Sequence, residues 1–438
     1  MKFSLLFFIT CLIVNGQTAD TIQISKIKSV KIDSIKIVGN DKTRDFIILR
    51  ELTVKKNEKV DKKKLDFNKE RVYSLGLFNF VRFYLVKENE LVILTIEVEE
   101  SWYIYPIPFL YFYGKGYDKA TYGIDFLWKN FRGKNESLRV IAALGYDPYL
   151  LVNYYNPAFW DYNEFLFSPS FYFATPKNKS TEATYLIGKD FEYKIFNTRL
   201  AFGKRFSQFL ESYITIGHSY IETDYALKKV TASGKKIDNS MTAGIYIQAD
   251  SRNLKQFPES GIFATFDYQK VGLLNSKIDF TKTRFDYRHY LRVKNLFSLR
   301  WRLLSINNFG KNTPFYNYSF FGYDEYVRGH RYDYREGENL MFGSLETSIP
   351  LLKEKEISFD IPNVPKKLTS ARLDIQLIFF FDHGITYKKA ISFKKENYYS
   401  GFGIGITFLI LPFNAVRFEY AMNEKFKGEF LLATGFSF

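Results

Sequence analysis

Arg328 stands where a side chain could do the most. It lies in the stretch Phe321 to Arg331, reading Phe-Gly-Tyr-Asp-Glu-Tyr-Val-Arg-Gly-His-Arg. Strand-like runs flank it, Leu296 to Asn307 and Leu340 to Pro350, so the stretch is a loop. A guanidinium presents a planar fork of donors that can hold two carboxylates at once, which an ammonium cannot. Two carboxylates follow on the next strands. Glu346, in Met-Phe-Gly-Ser-Leu-Glu-Thr-Ser-Ile-Pro, alternates with Leu345, Thr347 and Ile349; Asp382, in Leu-Ile-Phe-Phe-Phe-Asp-His-Gly, falls opposite Leu377, Phe379 and Phe381. Both should point to the face away from the apolar one. The predicted chemistry is a loop lock made by Arg328, Gly329, Glu346 and Asp382. A buried set of this kind fixes position more than it adds stability.

Catalytic chemistry has little to stand on. The four histidines, His218, His289, His330 and His383, are scattered, and no nucleophile motif or metal-ligand spacing accompanies them. His383 beside Asp382 reads as a polar strand end. Gly401-Phe402-Gly403-Ile404-Gly405 alternates as a strand and opens no helix, so it is no phosphate loop. No catalytic residue, metal or cofactor is predicted. Cys11 is the only cysteine and lies in the apolar core of a start that reads as a secretory signal peptide over residues 1–16. A mature chain without it has no thiol for a disulfide or a thiolate zinc site.

The elements that must position the lock are strands. Aromatics make up 19% of the residues, with 46 Phe and 33 Tyr, yet the mean hydropathy is only -0.21. That pairing fits strands with one apolar and one polar face, because a helical membrane protein would show long apolar runs. The formal charge is +15. Export argues against nucleic acid as the partner, and anionic lipid headgroups or a solvated pore lining explain the charge better.

Residues 30–100 read as a small α/β domain. A strand runs from Val30 to Val38 and ends at Gly39-Asn40, Thr43 caps a first helix, and a second helix runs from Asp61 to a stop at Gly76. Strands Val81 to Val86 and Leu91 to Val98 finish the unit. Residues 101–438 show about sixteen alternating segments, from Ile104 to Tyr113 through to Glu429 to Phe438, an even number suited to a closed antiparallel membrane β-barrel. Glu182 to Tyr193 is either an extra strand pair or a long outer loop. Lys282, Arg284, Asp286 and Arg288 share a face opposite Phe285, Tyr287 and His289, and Arg300 with Arg302 opposes Leu299, Trp301 and Leu303. A charged face on adjoining strands fits a hydrated lumen.

The β-α-α-β-β order, with Gly39-Asn40 and Gly76-Leu77-Phe78, resembles a single polypeptide-transport-associated (POTRA) domain. Val327-Arg328-Gly329-His330, Glu346, Phe380-Phe381-Asp382-His383-Gly384, Asp250-Ser251-Arg252-Asn253 and Phe257-Pro258-Glu259-Ser260-Gly261, with a last strand ending in Phe438, resemble the bacterial surface antigen family of outer-membrane assembly barrels, the BamA and TamA type. His330 departs from the usual Phe or Tyr, and Gly435 is displaced from the usual terminal glycine. The resemblance implies a bacterial outer-membrane barrel with its N-terminal domain in the periplasm. It also implies insertion of outer-membrane proteins, templated where client strands pair at a seam between the first strand and the last. Phe436 and Phe438 would belong to that seam and to the signal by which the barrel itself is inserted. Pro106 and Pro108, each without a ladder donor, suggest a weakly paired first strand. The implied partners are outer-membrane lipids, client or exported polypeptides, and periplasmic or lipoprotein accessory proteins. The rival readings are a secretion pore of the same family and, from another class, a lipolytic barrel enzyme. A passive porin leaves the periplasmic domain unexplained.

Overall fold

Two sheets of very different size divide the chain. In this computed structural model the described residues are 20–24, 27–113, 119–160, 164–275, 277–294, 296–310, 312–323, 325–388 and 397–434. Residues 1–16, and with them Cys11, lie outside that set, as do Phe436 and Phe438.

The N-terminal unit contains β1 (Asp20–Ile22), β2 (Val30–Ile32), β3 (Ser34–Val38), α1 (Asp45–Leu49), β4 (Glu58–Val60), α2 (Lys62–Tyr73), β5 (Phe78–Glu88) and β6 (Leu91–Glu100). Its main sheet has the order β1-β5-β6-β3, with β3 parallel to β6. The strand expected from Val30 to Val38 is broken at Asp33. The Asp33 carboxylate accepts the Val92 N–H at 2.8 Å, and this turns the chain from pairing with β4 to pairing with β6. Thr43 is not the cap of α1. Its N–H and hydroxyl both go to Glu100 Oε1 at 2.7 Å, and the helix starts one residue later without a side-chain cap. Asp61 does cap α2, accepting the Lys64 N–H at 2.8 Å. Leu65 and Val72 of α2 are buried in one core with Phe83, Leu85, Leu94 and Ile96. β1 pairs along the outer edge of β5, with Ile22 opposite Leu85.

The large sheet has sixteen antiparallel strands. In chain order they begin with β7 (Ile104–Phe112), β8 (Ala120–Lys129), β9 (Ser137–Gly145), β10 (Tyr149–Tyr155), β11 (Phe165–Ala174), β12 (Lys194–Ser207), β13 (Leu210–Glu222) and β14 (Ile237–Asp250). They continue with β15 (Gly261–Leu273), β16 (Phe280–Val293), β17 (Phe297–Gly310), β20 (Asn339–Ser358), β21 (Ser370–Tyr387), β22 (Tyr399–Leu411), β23 (Asn414–Asn423) and β24 (Gly428–Thr434). Between β17 and β20 the loop carries a short pair, β18 (Ser319–Phe321) and β19 (Arg335–Gly337). Residues 182–193 add no strands to the sheet. Ser180 accepts the Ala183 N–H at 3.1 Å and starts a short helix, α3 (Thr181–Ile187), which Gly188 ends in a left-handed conformation. No helix among the described residues is long and apolar enough to cross a membrane.

Strand alternation turns charge inward along one arc of the sheet: Asp286, Arg300, Arg302, Glu346 and Asp382 are buried, while Phe285, Leu291, Leu303 and Leu345 stand exposed on the outer face. Neighbours are laddered all the way from β7 to β24, and among the described residues no ladder joins these two end strands to each other.

The N-terminal domain sits in the near mouth of the barrel. Arg71 of α2 is wholly buried, with Nη2 on Glu51 Oε2 at 2.7 Å and on the Gln208 carbonyl at 3.2 Å. Arg205 of β12 takes the other Glu51 oxygen at 2.8 Å. Burial would push the Glu51 carboxyl up, but the positive charges of Lys255, Arg205 and Arg71 outweigh it and hold the group at about 2. A second clasp joins Glu70 to Arg372 of β21 at 2.8 Å, with Asp374 on the same guanidinium at 2.9 Å.

Candidate functional site

The loop between β17 and β20 turns into the barrel because its apolar residues have partners there. Phe315, Tyr318 and Phe320 pack with Ala183, Phe191, Tyr193 and Val230 of neighbouring loops. Deeper in, Phe321 and Val327 are fully buried among Leu304, Ile306, Leu340 and Phe342 of the wall. Glu325 meets Arg302 at 3.0 Å and Arg284 at 2.8 Å, so the charged inner faces of β16 and β17 hold one flank of the loop.

Arg328 lies against the inner wall formed by β20 to β23 with every donor engaged. Nε and Nη2 make a bidentate pair with Asp382, 2.7 Å each, and the Arg328 backbone N–H reaches the same carboxylate at 3.1 Å. Nη1 donates to Glu346 at 2.6 Å and to Glu419 at 3.2 Å, and Nη2 also donates to Ser344 Oγ at 3.2 Å. The guanidinium lies 3.7 Å from the ring centre of Phe380, adding a cation–π face. Arg417 meets Glu419 at 3.3 Å and Arg300 meets Glu346 at 3.8 Å. Three arginines thus face three carboxylates, Glu346, Asp382 and Glu419. Such a set resists dismantling, because removing one member leaves a buried charge uncompensated.

Gly329 is needed for the fit. Its φ is +94°, and a Cβ there would lie 2.8 Å from the Met422 carbonyl oxygen. The structure therefore brings Arg328, Gly329, Glu346 and Asp382 into one site. The sequence reading did not single out Glu419, Ser344 or the Phe380 ring. Glu419 had a readable signal, since Arg417 and Glu419 alternate with Val416, Phe418 and Tyr420 on β23.

The loop then touches the last hairpin. Glu429 Oε1 accepts the N–H groups of Gly329 at 2.8 Å and Arg331 at 3.1 Å. His330 lies between Asp333, 2.8 Å from Nδ1, and Glu424, 2.7 Å from Nε2, and stacks on Tyr399 at 4.1 Å. His383 points the opposite way from Asp382, with Nδ1 2.8 Å from Ser400 Oγ. Among the described residues no group of three His, Cys, Asp or Glu is placed to hold a metal ion.

A family model described as the Omp85 superfamily domain matches residues 130–438, well over half of the chain. The chain belongs to the Omp85 superfamily. A second model, POTRA, described as surface antigen variable number repeat, matches residues 30–101. Among solved structures, this Omp85 chain is similar to BamA from Haemophilus ducreyi lacking POTRA domains 1–3, at 15% identity. The match covers 92% of this chain and 83% of that one, with a TM-score of 0.54. It is also similar to CdiB from Escherichia coli, at 10% identity over 92% of this chain and 75% of that one, again with a TM-score of 0.54. At these identities the likeness is one of fold. No curated protein sequence matches this Omp85 chain.

Proposed function

We propose that this protein inserts or assembles outer-membrane proteins, templating client β-strands at the seam between β7 and β24. Residues 1–16 are the secretory leader, 30–100 a periplasmic POTRA domain and 101–438 the barrel in the bacterial outer membrane. Outer-membrane lipids surround the barrel, client polypeptides enter from the periplasm, and periplasmic or lipoprotein partners assist. Phe436 and Phe438 complete the seam and the signal for the barrel's own insertion.

The observation that carries this reading is the pair of end strands with no ladder between them among the described residues. A sheet edge offers backbone donors and acceptors to any extended chain of matching register. The lumen supports the same choice over a secretion pore: the Arg328 loop is anchored inside it and the POTRA domain sits in its near mouth. The lipolytic reading finds little support. Ser400 and His383 are paired, but no carboxylate orients the imidazole among the described residues, and Asp382 is committed to Arg328.

Depletion of the protein followed by proteomics of the outer membrane tests the reading. Insertion predicts a broad fall in barrel proteins. Loss of a single exported protein, with the other barrels at normal levels, would replace it by the secretion pore.

A further inference from the structure

The two edges of the seam differ in a way that side-chain alternation does not reveal. In an antiparallel pair, hydrogen-bonded positions alternate with positions whose N–H and C=O point to the other side of the strand. Lys129 N–H donates to the Tyr103 carbonyl at 2.7 Å, and Tyr113 N–H donates to the Lys119 carbonyl at 2.9 Å. Both pairs fit the β7–β8 register, which runs without a shift from Ile104 opposite Trp128 to Phe112 opposite Ala120. The odd-numbered residues of β7 therefore serve β8. The even-numbered ones, Ile104, Pro106, Pro108, Leu110 and Phe112, face the seam.

Both prolines thus fall in the seam-facing set. They leave the β7–β8 ladder intact, so the weak pairing expected of the first strand falls on its seam edge, and a nine-residue strand tolerates two prolines. Between the N–H of Ile104 and that of Leu110, a span of about 20 Å along the strand, the seam edge of β7 carries carbonyls and no N–H. Each pyrrolidine ring also puts Cδ where a partner's carbonyl would approach. On β24 the opposite holds. Asn423 N–H donates to the Lys427 carbonyl at 3.0 Å, so in the unbroken β23–β24 register Gly428, Phe430, Leu432 and Thr434 turn complete N–H and C=O pairs toward the seam. Phe430 and Leu432 are 86% and 70% exposed, as residues on an uncovered edge are.

Resting on the templating function above, we propose that Pro106 and Pro108 hold the periplasmic half of the seam unzipped, so that an incoming extended polypeptide enters there and pairs first with β24. β7 runs outward from the POTRA domain, so the prolines lie in its first half and the donors of Leu110 and Phe112 in its outer half. The outer half of β7 keeps the donors a partner strand would need, and the periplasmic half, without them, is the doorway. The rings of Tyr105 and Phe413, 6.3 Å apart, close the doorway's foot through side chains alone.

The test is the double variant Pro106→Ala, Pro108→Ala of the full chain in vesicles of phosphatidylethanolamine and phosphatidylglycerol. Hydrogen exchange of the 428–434 peptide and the insertion rate of a urea-denatured eight-stranded outer-membrane barrel are read together. Restored donors should zip the seam, slowing exchange at Leu432 and Thr434 at least ten-fold and slowing insertion by a similar factor. Unchanged exchange in the folded double variant would overturn the inference, whatever becomes of the templating function. Slowed exchange with undiminished insertion would keep the zipped seam and overturn templating.

Discussion

The carbonyl oxygen of Arg328 packs against Gly401 of β22 so closely that a Cβ built on the glycine would lie 1.6 Å from it. Two backbones are in direct contact at the point where the loop meets the barrel wall.

Gly401→Ala should therefore lift the loop, because the obstacle is a main-chain atom that cannot rotate away. Overpacking of this kind costs about 1–3 kcal/mol. Trypsin should then cut at Arg328, which is buried in the native barrel. Resistance at that bond would mean the wall yields instead.

Arg328→Ala should cost about 3–5 kcal/mol, since Glu346, Asp382 and Glu419 would be left buried with less compensation. Arg328→Lys should recover little of it, because one ammonium cannot span carboxylates set on both sides of a planar fork. Asp382→Asn should be milder than either, as Glu346 and Glu419 still balance the guanidinium. The temperature at which the heat-modifiable barrel unfolds ranks the three variants, and an Arg328→Lys barrel as stable as the native one would contradict the arrangement.

Glu51 makes the seat of the POTRA domain sensitive to acid. Its folded value of about 2 lies below the ordinary 4.5, so its contribution is fully present above about pH 4.5 and is lost as the pH falls toward 2. A depression of this size corresponds to about 3 kcal/mol as an order of magnitude. Glu51→Gln should remove that acid step from the unfolding profile; a step of the same size in the variant would assign it to another carboxyl.

Glu429→Ala should release the N–H groups of Gly329 and Arg331 while leaving the Arg328 pairs intact. Exchange at those two amides should rise about ten-fold, with the barrel's unfolding temperature nearly unchanged. Equal protection in both proteins would show that another acceptor serves them.

Much of this fold was legible because a strand's period of two sorts its side chains. Lys282, Arg284, Asp286 and Arg288 separated cleanly from Phe285 and Tyr287, and the same parity put Glu346 and Asp382 on the side where Arg328 arrives. Parity says which face a residue takes, however, and not which edge its N–H serves. The meaning of Pro106 and Pro108 therefore needed the pairing of β7 with β8. Glu419 sits 91 residues from Arg328, and its role depends on β23 pairing beside β22, next but one to β21. The seating of Arg71 and Glu51 against Arg205 depends on docking one unit into another, for which the helical pattern of α2 gives no direction.

β21 begins beside the POTRA domain with Arg372 on Glu70 and reaches Asp382 ten residues later. Its ladder with β22 has no register shift from Arg372 opposite Leu411 to Gly384 opposite Tyr399. At the rise of an extended strand, the two ion-pair clusters stand about 33 Å apart along one hydrogen-bonded ribbon. That ribbon works as a ruler: the depth at which the loop is held, measured from the N-terminal domain, is set by a count of residues in a strand.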